Sequence, residues 1–125
     1  MVVLDTSVLL ALLFNETGAE RVLAVLPDAL MSTVNLAEAL SFYVRQGATV
    51  GDTFAQLSHL PIHWLPFSAE HSAIAAGLLP LTKAYGLSLG DRACLALAME
   101  KQLPVYTADR VWCELALPIT VISIR

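Results

Sequence analysis

Charged residues are scarce in this chain, and it lacks long apolar runs, a cysteine framework and a glycine-rich phosphate loop. Only 14% of its 125 residues are Asp, Glu, Lys or Arg. No apolar run approaches the roughly 18 residues of a membrane span, so no membrane partner is expected. The two cysteines have no pairing pattern, which predicts reduced thiols in a cytoplasmic protein. Without either nucleotide-binding glycine pattern, use of ATP or a dinucleotide is not expected.

The composition predicts one domain, residues 1–125, with a sizeable core. Hydrophobic residues make up 57% of the chain, an excess that favours helices buried on both sides of a sheet and an apolar surface for a partner. A short apolar strand begins the chain with no basic segment before it, so no signal peptide is expected.

Apolar segments typical of strands alternate with helical ones along the chain. The predicted strands are 2–4, 29–31, 62–67, 104–107 and 120–124; the predicted helical regions are 7–14, 17–26, 33–46, 50–60, 68–86, 90–102 and 110–116. This alternation predicts an α/β fold, a doubly wound parallel sheet of four to five strands flanked by helices. In such sheets ligands bind beyond the carboxyl ends of the strands, where the strand order reverses.

Four acids belong to the segments that would meet at that edge. Asp5 and Asp109 directly follow predicted strands, while Glu38 and Asp91 lie near the starts of predicted helices. Without these four, the remaining 7 acids balance the 7 Lys and Arg residues, so the net charge of −4 corresponds to the four acids at this edge. A neutral scaffold argues weakly against nucleic acid, although a bound metal ion can invert the local field. Adjacent carboxylates repel by about 4 kcal/mol at about 4 Å and an effective dielectric near 20, so they must either take up protons or bind a divalent cation.

Each acid also has an ordinary structural explanation. Asp5 and Asp109 are placed to cap helices, with their carboxylates accepting backbone N–H groups. Asp91 would favour a helix dipole, and Glu38 would be solvated on the polar face of its helix. Taken together these explanations require four coincidences, and an acid that begins a helix packed on all sides must face a crevice.

Four sequence blocks that contain these acids resemble the motifs of PIN-domain proteins, and in particular of VapC-type ribonuclease toxins of toxin–antitoxin pairs. The resemblance covers essentially the whole chain in order and spacing. The blocks are Leu4-Asp5-Thr6-Ser7, Ser32-Thr33-Val34-Asn35-Leu36-Ala37-Glu38, Gly86 to Ala96 around Asp91, and Tyr106-Thr107-Ala108-Asp109-Arg110.

The resemblance implies a role for each of the four acids. Asp5, Asp91 and Asp109 are expected to hold Mg²⁺ or Mn²⁺, and Glu38 to hold the attacking water. The hydroxyls of Thr6 and Thr107 are expected to support these carboxylates. Some relatives carry one more acid just beyond the last aspartate; residues 111–113 are Val, Trp and Cys here, which leaves the number of metal ions open.

By the same resemblance, the chain is expected to be a Mg²⁺-dependent endoribonuclease that leaves 5′-phosphate and 3′-hydroxyl ends. A cognate VapB-type antitoxin would neutralise it, and it would act as a cytoplasmic homodimer. Two alternatives stay open at this point. One is a small metal-dependent phosphatase with Asp5 as nucleophile, although Ser7 stands where that chemistry wants a second aspartate. The other is a catalytically inactive PIN-fold module that binds RNA or protein.

A few further residues carry weaker signals. Phe42 interrupts the polar face that carries Glu38, which indicates either a partner contact or a helix packed on two sides. Three arginines would either contact phosphate or neutralise an acid: Arg45, Arg92 and Arg110. Three histidines have no metal-ligand spacing and are predicted to be surface or boundary residues: His59, His63 and His71.

Overall fold

Five short parallel strands run through the middle of the protein. In the computed structural model, which describes residues 1–125, they are β1 (Val2–Leu4), β2 (Ala29–Ser32), β3 (His63–Leu65), β4 (Val105–Thr107) and β5 (Val121–Ser123). The helices are α1 (Thr6–Leu13), α2 (Ala19–Val25), α3 (Thr33–Arg45), α4 (Val50–Ser58), α5 (Ala69–Gly77), α6 (Leu79–Thr82) and α7 (Leu89–Lys101). None of these helices has the length and apolarity needed to cross a membrane.

The strand order is β3-β2-β1-β4-β5, and every neighbouring pair is parallel. The chain builds outward from β1 to β2 and β3, then returns to the other side of β1 for β4 and β5. The order therefore reverses between β1 and β4, whose residues Val3 and Val105 are paired. The predicted parallel α/β sheet is confirmed, and β3 lies at the edge, where its flanking prolines cost no ladder hydrogen bonds.

The sheet has an apolar layer on each face because successive strand residues point to opposite sides. In β1, Leu4 packs into one layer and Val3 into the other. The first layer also contains Val8 and Leu9 of α1, and the second contains Leu95 and Leu97 of α7. These two layers account for the apolar excess that the composition predicts to be buried on both sides.

Helix α7 is buried on nearly all sides. Its residues 93–98 are all fully buried, as its apolar sequence predicts, because it packs on β1, β2 and β4 below and on α5 and α3 beside it. A helix that connects parallel strands runs antiparallel to them, so the start of α7 lies at the carboxyl ends of the strands. The fold therefore carries Gly90 and Asp91 to the edge where β1 and β4 end.

Four predictions about the elements are wrong in detail. The strands at 62–67 and 120–124 shorten to three residues each, and the predicted helix at 110–116 is a 3₁₀ turn, Arg110–Glu114. The predicted polar face of α3 is wrong as well, because its buried residues are Asn35 and Ala39, while the apolar Val44 is exposed. This helix packs against both α1 and α7, so the face that carries Asn35 and Glu38 turns inward and Glu38 is not simply solvated.

His71 is buried rather than a boundary residue. It forms a capping box with Ser68 at the start of α5, and its Nε2 lies 2.9 Å from Oε1 of Glu100. This contact, helped by the neighbouring Lys101, lowers the pKa of the Glu100 carboxyl. The pair joins α5 to the end of α7 that is farthest from Asp91.

Candidate active site

Asp5 sits where β1 passes into α1, and it is almost completely buried, with 3% of its surface exposed. It caps α1: Oδ1 accepts from the backbone N–H of Val8 at 2.9 Å and from the hydroxyl of Ser7 at 2.6 Å. Oδ2 accepts from the hydroxyl of Thr107 at 2.8 Å. Burial raises the pKa of Asp5 to about 6, against the lowering effect of these three hydrogen bonds, and Asp91 adds to the rise.

Two hydroxyls tie the start of α1 to the end of β4 across the point where the strand order reverses. Thr107 donates to Asp5, and its Oγ1 accepts from the backbone N–H of Asp109 at 3.0 Å. Ser7 donates to Asp5, and its Oγ accepts from the backbone N–H of Ala108 at 3.1 Å. Each hydroxyl therefore uses both its donor and an acceptor position, which fixes Asp5 relative to Asp109.

Glu38 is held by one side chain from α1 and by one from its own helix, α3. Its Oε1 accepts from the hydroxyl of Thr6 at 2.6 Å and from Nδ2 of Asn35 at 3.0 Å. Nδ2 of Asn35 also lies 3.1 Å from the carbonyl oxygen of Gly90, which links α3 to the start of α7. The Glu38 carboxyl packs directly on Gly90, where a Cβ would collide with it.

Asp91 lies in the first turn of α7 and takes part in a capping box. Its Oδ2 accepts from the backbone N–H of Ser88 at 2.9 Å, while the Ser88 hydroxyl accepts from the backbone N–H of Asp91. Burial is the main cause of a raised pKa for Asp91, and the charges of Glu38 and Asp109 raise it further.

Asp109 is the most exposed of the four acids. It follows β4 and caps the 3₁₀ turn, with Oδ1 accepting from the backbone N–H of Val111 at 3.0 Å. Its other carboxylate oxygen makes no hydrogen bond within the protein, which leaves it free for a ligand.

The four acids form one electrostatic group. The charge of Asp91 raises the pKa of Asp5, and the charges of Glu38 and Asp109 raise the pKa of Asp91. The buried thiol of Cys94 lies close by on α7; burial raises its pKa well above the ordinary value, and three of the acids raise it further. No Lys, Arg or His forms an ion pair with any of the four.

The arrangement suits a divalent cation that keeps most of its water. No three acid, histidine or cysteine side chains converge as a ready-made set of metal ligands. Mg²⁺ needs only one or two direct carboxylates and retains several waters, so it does not require such a set. The oxygen donors, the uncompensated negative charge and the free oxygen of Asp109 fit a hydrated Mg²⁺ or Mn²⁺. The roles of the four acids in catalysis and metal binding stay predictions.

The structural explanations considered for single acids prove correct for three of them. Asp5 and Asp109 are N-caps, and Asp91 lies in the first turn of α7, where an acid favours the helix dipole. Capping does not exclude a functional role, because these caps lie at one edge of one sheet and share an unbalanced charge. The helix starts hold the carboxylates in place, and the sheet topology brings the helix starts together.

Three contributors were missed in the sequence. Ser7, Asn35 and Gly90 all contact the acids or the groups that hold them. A signal was present for Asn35, since it precedes Glu38 by three residues and therefore shares its helix face. Nothing local marks Gly90, because the carboxyl that it accommodates belongs to a helix more than fifty residues earlier.

None of the three arginines considered neutralises an acid of the cluster. Arg92 donates from Nη1 to the carbonyl of Ala75 at 2.9 Å, so it serves the packing of α7 on α5. Arg45 and Arg110 are exposed and form no ion pair. Arg45 lines a groove of about 380 Å³ on α3 together with Glu38. Its guanidinium, which has no ion-pair partner, is therefore a positive charge that shares a groove with one of the four acids.

Comparisons with known proteins agree with this fold. The family model described as the PIN domain matches residues 2–117. A search of curated proteins found no match.

Several solved structures share the fold over nearly the whole chain. A toxin–antitoxin complex from Klebsiella pneumoniae is 20% identical, with a TM-score of 0.77, and the match covers 100% of this chain and 98% of that one. VapBC-5 of Mycobacterium tuberculosis, a toxin–antitoxin system, is 26% identical with a TM-score of 0.65, over 97% of this chain and 96% of that one. VapC20 of the same organism, described as a Sarcin-Ricin loop cleaving toxin, is 19% identical with a TM-score of 0.68, over 93% and 97%.

Proposed function

The chain belongs to the PIN domain family, and from that premise we propose that it is a metal-dependent endoribonuclease acting as the toxin of a toxin–antitoxin pair. The observation that carries this proposal is the group of four carboxylates, without a basic partner, at the reversal of strand order. Structures of similar fold that come from toxin–antitoxin complexes support the second half of the proposal.

Asp5, Asp91 and Asp109 would hold Mg²⁺ or Mn²⁺, either directly or through water. A bound ion would supply Lewis-acid stabilisation of the phosphodiester and a lowered pKa for water. The protein's part is to fix the carboxylates before the substrate arrives. Thr107 and Ser7 do this for Asp5, since each also accepts a backbone N–H from the segment after β4.

Glu38 would hold and orient the attacking water. Its Oε1 is occupied by Thr6 and Asn35, so Oε2 is the atom available to accept a proton from water. The same two hydrogen bonds prevent the carboxylate from rotating away, which provides the orientation that catalysis needs. In-line attack of this water on the phosphorus would leave 5′-phosphate and 3′-hydroxyl ends.

The proposed partners are RNA and a VapB-type antitoxin, and the proposed state is a cytoplasmic homodimer. Ten large apolar side chains are exposed, among them Val44, Val50 and Phe54 around the α3–α4 connection, and Leu79, Leu81, Tyr85 and Leu89 before and at the start of α7. Such exposure is consistent with surfaces that a second chain covers.

A phosphatase that uses Asp5 as nucleophile is not favoured. Both oxygens of Asp5 accept hydrogen bonds, the side chain is buried, and a raised pKa lowers the fraction of carboxylate at neutral pH. A nucleophile needs an exposed, ionised oxygen with a free approach.

The test of the proposed function is RNA cleavage by the purified protein with and without metal. We expect cleavage of single-stranded RNA and of hairpin RNAs to stop in EDTA and to return when Mg²⁺ or Mn²⁺ is added in excess. Asp109→Asn should remain inactive under all these conditions. Full activity in excess chelator would contradict the mechanism, and RNA binding without cleavage at any metal concentration would favour the inactive binding module.

A further inference from the structure

A groove of about 440 Å³ opens directly beside the acid cluster. It lies between the outer face of α1, the middle of α3, the segment after β4 and the C-terminal residue. Six of its lining residues matter here: Ser7, Phe14, Glu16, Phe42, Asp109 and Arg125. Because Ser7 hydrogen-bonds Asp5 and Asp109 is itself one of the four acids, the groove and the cluster share a wall.

Two helices lead from the acids into this groove. On α1, Ser7 and Phe14 are seven residues apart, which puts them on one face about 10 Å from each other along the axis. On α3, Glu38 and Phe42 are four residues apart and are neighbours on the helix surface. Both helices therefore carry a polar group at the cluster and an aromatic ring in the groove.

The aromatic rings form a supported platform. Phe14 is 49% exposed, and its ring stacks on Tyr43 with centroids 5.7 Å apart and planes 21° apart. Phe42 meets Phe14 edge to face, also at 5.7 Å. With Tyr43 behind it and Phe42 beside it, the Phe14 ring is held in place while one side stays open to solvent.

The polar rim of the groove carries one negative charge that is not balanced within the groove. Arg125 pairs with Glu16 at 3.1 Å, so the guanidinium is balanced by its own neighbour. The remaining charge is Asp109, which repels phosphate unless a cation is bound. A flat, neutral ligand with hydrogen-bonding edges suits these walls better than a phosphate group does.

We propose that this groove binds one unpaired nucleobase of the RNA substrate, from a nucleotide next to the cleaved phosphodiester, by stacking on Phe14. The proposal rests on the proposed function. If RNA is cut at the four acids, a base adjoining the cut lies within reach of a groove that begins at Asp109 and Ser7. The base faces would contact Phe14 and Phe42, and the base edge would meet the carboxylates and guanidinium at the rim.

The test compares Phe14→Leu with Phe14→Tyr in cleavage of a short, fluorescently labelled single-stranded RNA. Leucine keeps the apolar bulk and removes the flat ring, whereas tyrosine keeps the ring. We expect KM to rise about tenfold for Phe14→Leu, within the range that loss of one base stack produces, with kcat little changed and with wild-type KM for Phe14→Tyr. Phe54→Leu is the matched control, because Phe54 is similarly exposed, at 52%, but lies on α4 outside the groove.

A second arm uses the same RNA with one abasic nucleotide beside the cleavage site. If Phe14 stacks on that base, the abasic RNA should raise KM for the wild type and have no further effect on Phe14→Leu. An unchanged KM for Phe14→Leu, or effects of variant and abasic RNA that simply add, would overturn the proposal. So would a Phe14→Leu variant that cleaves RNA normally and only escapes an antitoxin, since the groove would then be a peptide site. Absence of cleavage by the wild type would instead contradict the proposed function.

Discussion

At the scale of single residues, Asp5 shows two opposing effects on one carboxyl group. Three hydrogen bonds favour the ionised form, yet burial outweighs them and raises the pKa to about 6. The ionised group is therefore unfavourable in the metal-free fold. A nearby cation would remove this penalty, so the proposed metal site predicts that binding of the ion shifts Asp5 towards its ionised form.

Asp5→Asn should stabilise the metal-free protein at neutral pH while abolishing cleavage. The pKa of Asp5 is higher in the folded state than in the unfolded state, so its protonation stabilises the fold. This contribution is fully present below about pH 4 and is lost as pH rises through about 6. A difference of roughly two pH units corresponds to about 3 kcal/mol. In EDTA, the wild type should lose up to about 3 kcal/mol of this stability between about pH 4 and about pH 7, whereas Asp5→Asn has no such carboxyl to ionise. The free energy of unfolding of the variant minus that of the wild type should therefore increase by the same amount over this range. Denaturant unfolding of both proteins measures it; a difference independent of pH would contradict the burial argument.

Gly90→Ala should displace Glu38. A Cβ at this position would collide with the Glu38 carboxyl, so overpacking should cost about 1–3 kcal/mol of stability and about tenfold or more in kcat. Gly51→Ala is a matched control: it is also the second residue of its helix, α4, and a Cβ there meets open space. Alanine should be neutral or slightly stabilising at Gly51. Equal effects of the two substitutions on kcat would show that Gly90 does not position Glu38.

At the scale of elements, the site is assembled from the beginnings of helices. Asp5 begins α1, and Asp91 lies in the first turn of α7. In a parallel sheet with crossover helices, helix starts and strand ends occupy the same edge. A sequence that places an acid at each such junction therefore builds a cluster without any long-range pairing of the acids themselves.

This rule explains which features the sequence could predict. The five strands, the all-round burial of α7 and the edge position of β3 follow from local apolar patterns and prolines. The inward face of α3 did not follow, because neighbours distant in sequence decide which face is buried. Asn35 is almost fully buried for that reason, since its amide bridges Glu38 and Gly90. The burial of His71 did not follow from local sequence either, because its partner Glu100 lies on another helix.

Arg45 should contribute to RNA binding through charge. It lies two turns beyond Glu38 on α3, about 10 Å away, lines the same groove and has no ion-pair partner. For Arg45→Gln we expect weaker binding of single-stranded RNA and a plot of log affinity against log salt that is less steep by about 0.7. Lys101→Gln, at the far end of α7 from Asp91, serves as the control for loss of one positive charge. Identical salt slopes for the two variants would show that Arg45 does not contact the RNA.

At the scale of the whole molecule, a neutral and apolar body carries one concentrated negative region. The net charge of −4 equals the charge of the four acids when all are ionised. Metal ions and arginine-rich peptides are the two ligands that such a region attracts. Regulation by a partner chain would follow from competition between them.

An antitoxin tail is expected to inhibit by placing an arginine among the four acids. Its apolar residues would cover exposed side chains such as those around the α3–α4 connection, and it would order only on binding. Increasing Mg²⁺ should therefore weaken inhibition, and replacing the tail's arginine should raise residual RNase activity. Inhibition that is independent of both Mg²⁺ and the arginine would place the inhibitory contact elsewhere.

The most direct test of a cation site at these four acids is a calorimetric titration of Mn²⁺ into the metal-free protein at about pH 6, in two buffers of different ionisation enthalpy. Asp5 is about half protonated there, so binding must release protons and the apparent enthalpy must depend on the buffer. The proton release from Asp5 should shrink towards about pH 8, where Asp5 is ionised before the metal binds, and it should fall in Asp5→Asn. No binding, or binding with the same enthalpy in both buffers at about pH 6, would contradict a metal centre that includes Asp5.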